Sequence, residues 1–165
     1  MKASAAIFPG TFDPLTNGHA DLIKRSLRIF DRVIVGVLMN ASKSALFSVE
    51  ERVALMRDEF KEEGSRVEVH SFSGLLVEFA KDVGATVVIR GLRAISDYDY
   101  EAQMALMNKH LYEDLETLFM IAREENSYVS STLVRQIASL GGDVSKIVTP
   151  VVHLALKEKY AAQKK

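Results

Sequence analysis

Cysteine is absent from the 165 residues, which removes disulfides, thiolate metal centres and thiol nucleophiles together. An excess of either charge is lacking too. Lys and Arg number 21 against 22 Asp and Glu, a formal net charge of -1, so no global field draws the chain to nucleic acid or to an anionic membrane. Any anion site must be a local cluster. No apolar run approaches the ~20 residues of a membrane helix. The opening MKASAAIF is too short for a signal peptide before Pro9 and Gly10 break it. A reducing cytoplasm is the expected setting. With no internal repeat, linker or low-complexity tract, residues 1–165 read as a single domain, and 48% hydrophobic with 26% charged residues is a globular balance.

What is present is alternation. Short runs rich in Val, Ile or Phe, at Ala3 to Phe8, Arg32 to Leu38, Arg66 to His70, Thr86 to Arg90 and Glu116 to Ala122, have the length and composition of buried strands. Helical patterns lie between them. Ala20, Ile23, Leu27 and Phe30 repeat at helical spacing; Ser48 and Glu51 form a capping box ahead of Val53, Met56 and Phe60. Further helices are expected from Leu75 to Val83 with Gly84 as the stop, from Asp97 to Leu111, from Ser130 to Leu140, and from Pro150 onward. The fold class is therefore α/β: one doubly wound, Rossmann-like domain with C-terminal helices. Five parallel strands and right-handed crossovers give the order 3-2-1-4-5. Such sheets bind ligands where the order reverses, just after strand one and strand four.

Both places carry suitable chemistry. The segment PGTFDPLTNGH, residues 9–19, leaves strand one and enters the first helix. Gly10 and Gly18 would allow a sharp turn and close approach to a ligand, and Thr16 or Asn17 can cap a helix whose free N–H groups attract phosphate. His19 falls in the first turn and Thr11 offers a hydroxyl opposite. The plain alternative is a glycine-rich turn with a surface histidine. The dinucleotide fingerprint G-x-G-x-x-G does not follow strand one, which argues against a nicotinamide dehydrogenase.

Arg90 closes the fourth apolar run and is followed by Gly91, Leu92 and Arg93. A guanidinium at that edge suits paired phosphate oxygens, and Gly91 suggests backbone approach to a ligand. The competing reading is an ion pair with Asp97, Asp99 or Glu101. Lys43, in the loop NASKSALF of residues 40–47, is either a mobile phosphate contact or a solvated lysine. After strand five, NSYVSST at residues 126–132 opens a helix that Ser130, Ser131 or Thr132 can cap, a second anion cradle or only a cap. His70, His110 and His153 have no ligand-like spacing and read as structural or surface residues. Met104, Met107 and Leu111 read as helix packing.

Thr16 to His19 matches the [T/H]xGH signature of the nucleotidyltransferase superfamily, and the longer PGTFDPxTxGH is more specific. The string IRGLRAISDYDYEAQMALMN, residues 89–108, resembles the phosphopantetheine adenylyltransferase family along its whole length. The resemblance runs from about Ile7 to His153. It implies transfer of AMP from ATP to 4′-phosphopantetheine, giving 3′-dephospho-coenzyme A and pyrophosphate. By the same resemblance His19 stabilises the transition state, with Thr11, Lys43 and Arg90 assisting it. ATP would be held by Thr11, Phe12, His19, Gly91, Leu92, Arg93, Glu101 and the segment Asn126, Ser127, Tyr128, Val129, Ser130, Ser131 and Thr132. Thr11, Lys43, Leu76 and Arg90 would contact phosphopantetheine, although Leu76 also reads as helix core. The family implies a homohexamer and coenzyme A as a feedback ligand. Two departures stand out: Asn126 replaces a frequent aromatic, which puts adenine packing there in question, and Lys43-Ser44-Ala45 replaces a frequent Lys-Lys-Pro.

A phosphate monoester has a second pKa of ~6 and is mostly dianionic at neutral pH, so it needs no general base. Mg²⁺ is the expected cofactor, held mainly by substrate phosphates and water, since no dense carboxylate cluster is visible. Neither nucleic acid nor membrane is an expected partner. Two other readings remain: an adenylyltransferase acting on another acceptor such as a mononucleotide, and a non-catalytic adenine-nucleotide sensor.

Overall fold

The structure, a computed structural model, describes residues 5–39 and 45–163. Strands β1 (Ala5–Gly10), β2 (Arg32–Leu38), β3 (Val67–Phe72), β4 (Val87–Leu92) and β5 (Glu116–Ile121) pair in parallel in the order β3-β2-β1-β4-β5. This is the expected winding, with the reversal between β1 and β4. Helices α1 (Asn17–Ser26), α2 (Val49–Glu59), α3 (Leu76–Asp82), α4 (Ile95–Leu111), α5 (Ser131–Ser139) and α6 (Pro150–Gln163) connect and follow the strands. Short 3-10 turns occupy Lys61–Arg66 and Glu124–Asn126. Among the described residues no helix is long and apolar enough to cross a membrane.

Two boundaries differ from expectation in ways that matter for the site. β1 continues beyond Phe8, because Pro9 and Gly10 keep register with Gly36 and Val37 of β2. β4 continues beyond Arg90, because its ladder with β5 runs on to Leu92 opposite Ile121. Arg90 is thus inside the strand rather than closing it. Helix α1 stops earlier than its apolar pattern: Leu27 is already the C-cap, and Leu27 and Phe30 instead pack back onto the core.

Side chains alternate along the strands and divide the interior in two. Ala6 and Phe8 of β1 with Val33, Val35 and Val37 of β2 join a core closed by α1, α2, α5 and α6. Ala5 and Ile7 with Ile34 join a smaller core that includes Val77, Phe79 and Ala80 of α3. Helix α4 is the exception, since none of its residues is buried. Met104, Met107 and Leu111 stand exposed along it, so the packing expected for that stripe is not made within this chain.

Gly36 in β2 sits where no side chain fits. A Cβ there would lie 2.8 Å from the Phe79 ring and 3.1 Å from Phe72, and those rings stack at 4.6 Å. Overpacking of this kind costs about 1–3 kcal/mol. Gly36→Ala should therefore lower the denaturant midpoint with an unchanged m-value, and equal midpoints would show that the two rings yield freely.

Candidate active site

The site begins at the N-terminus of α1. Thr16 is the N-cap, in extended conformation, and its hydroxyl accepts from the His19 backbone N–H at 3.4 Å. In return the Thr16 backbone N–H donates to His19 Nδ1 at 3.1 Å. This is a capping box in which an imidazole takes the place usual for Glu or Gln. It has a chemical consequence. A backbone N–H can only donate, so Nδ1 must be the acceptor and the ring proton of the neutral form resides on Nε2. Burial first, then the charges of Arg93 and Arg90, lower the His19 pKa from 6.5 to about 4. At neutral pH the group is an uncharged donor.

Phe12 lies beneath it. The Phe12 ring meets the imidazole edge-on at 5.2 Å and stacks on Phe8 at 6.0 Å. Phe12 has φ of 50°, left-handed for a non-glycine residue, a conformation that costs about 1–3 kcal/mol and persists only where its surroundings enforce it. Gly10 belongs to the same arrangement: a Cβ there would come within 2.8 Å of the Phe12 ring. Packing against that ring by itself requires a residue without a side chain there. Gly91 is likewise opposed by Leu22 of α1, 2.4 Å from where a Cβ would stand, so it lets the helix close on β4.

Arg90 reaches this place from β4. Its Nη1 donates to the Pro9 carbonyl at 3.0 Å, while Nε and Nη2 hold Glu101 of α4 at 2.7 and 2.5 Å. Arg93 donates to the Val129 carbonyl at 3.1 Å and pairs with Asp97 at 3.4 Å. The ion-pair reading of both arginines is therefore real. It coexists with their convergence on His19, and an anion entering here would share or exchange Glu101 at Arg90.

The third segment closes the crevice. Ser130 caps α5, accepting from the Leu133 N–H at 3.1 Å, and Ser131 donates to the Pro14 carbonyl at 2.8 Å. Thr132 is exposed. Asn126 lies close to Gly18, whose Cβ position is 3.4 Å from the Asn126 Cβ. Tyr128 is exposed and Ser127 donates to the Glu124 carbonyl at 2.8 Å. The side chains of Phe12, Leu92 and Val129 are buried, so they can offer a ligand only their backbone. Thr11 is exposed beside the crevice. Leu76 opens α3, partly buried against the smaller core. Lys43 lies outside the described residues.

Three residues important to this geometry escaped sequence reasoning. Asp13 is buried and accepts from the backbone N–H groups of Leu46 and Phe47, both at 2.9 Å, and from Arg135 of α5 at 3.2 Å. Arg52 is buried beneath Thr11. The visible signal for Arg52 was its spacing, four and eight residues before Met56 and Phe60, which puts a cation on the inward stripe of α2.

The profile of the cytidylyltransferase-like family matches residues 7–137. A phosphopantetheine adenylyltransferase from Alkalilimnicola ehrlichii is 52% identical over 161 residues, covering 96% of this chain and 92% of that protein. Another so named, from Geotalea daltonii, is 48% identical over 160 residues, covering 97% and 99%. The chain belongs to the phosphopantetheine adenylyltransferase family. A bifunctional NMN adenylyltransferase/ADP ribose pyrophosphatase from Francisella tularensis shares the fold at a TM-score of 0.71, with 14% identity over 94% of this chain and 49% of that one. Family membership and the observed sheet order agree on a nucleotidyltransferase architecture.

The depressed His19 pKa fixes the sign of its linkage. The unfolded chain binds a proton that the folded chain refuses, so the stability tied to neutral His19 is complete above pH 6.5 and lost as pH falls through about 4. A triphosphate beside the ring would favour the cation and raise the pKa. ¹⁵N shifts of the ring should show the Nε2–H tautomer down to about pH 5 without ligand, and an upward shift of the midpoint on adding ATP. A midpoint near 6.5 in the free protein would remove the desolvation argument.

Proposed function

We propose that the crevice binds ATP and 4′-phosphopantetheine together and transfers AMP directly between them, giving 3′-dephospho-coenzyme A and pyrophosphate. One observation carries the reading: a neutral imidazole, its proton on Nε2, is held at a helix N-terminus beside two arginines. An oxygen of the acceptor phosphate attacks the α-phosphorus in line, and the bond from that phosphorus to the bridging oxygen of pyrophosphate breaks. No general base is required, and no proton need leave the protein. His19 Nε2–H is suited to donate to an α-phosphoryl oxygen, a bond that strengthens as charge gathers there. The first-turn N–H groups of α1 and of α5 add their dipoles.

In this scheme Arg90, with Lys43, holds the acceptor phosphate. Thr11 contacts both reactants, Leu76 lines the pantetheine arm, and residues 91–93, Glu101 and 126–132 receive ATP. Among the described residues no three His, Asp or Glu side chains gather as a metal cage. Mg²⁺ carried mainly by the triphosphate and water would offset phosphate charge. Coenzyme A shares the product's pantetheine and adenylate and would act as a feedback ligand at the same crevice. The cytoplasm is the proposed setting.

We also propose assembly as a homohexamer, with α4 supplying contact surface. Ile95 is 94% and Leu106 72% exposed, and Tyr98, Tyr100 and Met107 join them. So many exposed apolar side chains on one helix are the kind of surface that a protein partner covers. Leu106→Glu should shift native mass from six chains toward smaller species. A wild-type monomer at micromolar concentration would refute the assembly.

The deciding assay incubates the protein with ATP, Mg²⁺ and 4′-phosphopantetheine and looks for dephospho-coenzyme A by mass. ATP binding without product would favour a nucleotide sensor, and pyrophosphate release only with a mononucleotide would favour another acceptor. His19→Ala should cut kcat by about a hundredfold or more with ATP affinity within a few-fold, the signature of a contact made in the transition state. Arg90→Ala should chiefly raise KM for the acceptor. Loss confined to ATP affinity would reverse the two pockets.

A further inference from the structure

Arg52 is 2% exposed, and among the described residues no carboxylate lies within ion-pair distance of it. A buried guanidinium normally costs several kcal/mol unless paired. Here its donors go to three backbone carbonyls drawn from three places. Nη1 donates to Thr11 at 2.7 Å and to Leu38 at 3.2 Å, and Nε donates to Ser48 at 3.3 Å. Leu38 ends β2 and Ser48 caps α2, so Arg52 ties both ends of the intervening loop to the turn after β1. The shortest of these bonds falls on Thr11, which is exposed while its neighbour Phe12 is held left-handed. Asp13 repeats the tie two residues on, through Leu46 and Phe47.

We propose that Arg52 is a positioning residue for AMP transfer, acting through Thr11. It does not reach a reactant. It fixes the main chain that carries the Thr11 hydroxyl, and it holds that turn against the end of β2 and the cap of α2. A core residue of the same shape could fill the volume but could do neither. The inference rests on the proposed reaction, so the test must separate the two.

The test is a double-mutant cycle of Arg52→Met with Thr11→Val. If Arg52 works through Thr11, Arg52→Met lowers kcat/KM by at least about tenfold in the wild-type background but by less than about threefold once the hydroxyl is gone. The same cycle is read by calorimetric ATP affinity, which needs no acceptor turnover, so the coupling remains measurable even if phosphopantetheine proves to be the wrong acceptor. Additive effects in both readouts overturn the proposal, as does a folded Arg52→Met protein with unaltered kinetics. A purely structural role would lower the melting temperature and leave the cycle additive. Should Arg52→Met fail to fold, Arg52→Lys enters the same cycle. Lysine keeps the charge on a single nitrogen, and additivity with Thr11→Val would be equally fatal.

Discussion

Two hydrogen bonds between Thr16 and His19 set the terms for the rest of the molecule's chemistry. They start α1, since the hydroxyl satisfies one of the helix's orphan donors. They also orient the imidazole, since the returning bond occupies Nδ1 and leaves the ring proton on Nε2. Helix initiation and tautomer choice are thus one event. The surroundings reinforce the choice: Phe12 sits edge-on to the ring, and burial, followed by two guanidinium charges, discourages protonation. A group of ordinary basicity becomes a steady neutral donor through its neighbours alone.

Sheet topology brings distant segments to that ring. The order reverses between β1 and β4, so the turn after β1 and the end of β4 are adjacent although about eighty residues apart in the chain. A chain of net charge -1 can hold an anion site because its cations are gathered there and, without ligand, balanced locally by Glu101 and Asp97. Pairing keeps the arginines oriented at moderate cost. Under the proposed reaction an arriving phosphate would replace one anion with another rather than fill an empty positive pocket.

Much of this was legible in the sequence. Strand order followed from alternation and handedness, and five of the six helices showed their starts or stops through caps, Gly84 or Pro150. The turn at residues 9–19 and the arginines Arg90 and Arg93 stood out by residue type, and the fold brings them together. The glycines were harder. Gly10 and Gly91 invite a ligand-facing reading, and a Cβ at either would also strike Phe12 or Leu22, contacts that local pattern does not reveal. Arg52, Asp13 and Arg135 were missed for the same reason. Most of their partners are backbone groups or each other, brought close only by the fold, and a backbone group carries no sequence signature. Helix α4 misled in the opposite direction: its apolar stripe implied internal packing, whereas the chain leaves it uncovered.

A donor whose proton stays on Nε2 throughout has nothing to restore after turnover. An acid–base catalyst that ends a step in another protonation state must be reset before the next cycle, which adds a pH-dependent step. Under the proposed reaction His19 would finish each passage in the state in which it began. By microscopic reversibility the crevice would then serve synthesis and pyrophosphorolysis alike, leaving removal of pyrophosphate elsewhere to decide which way material flows.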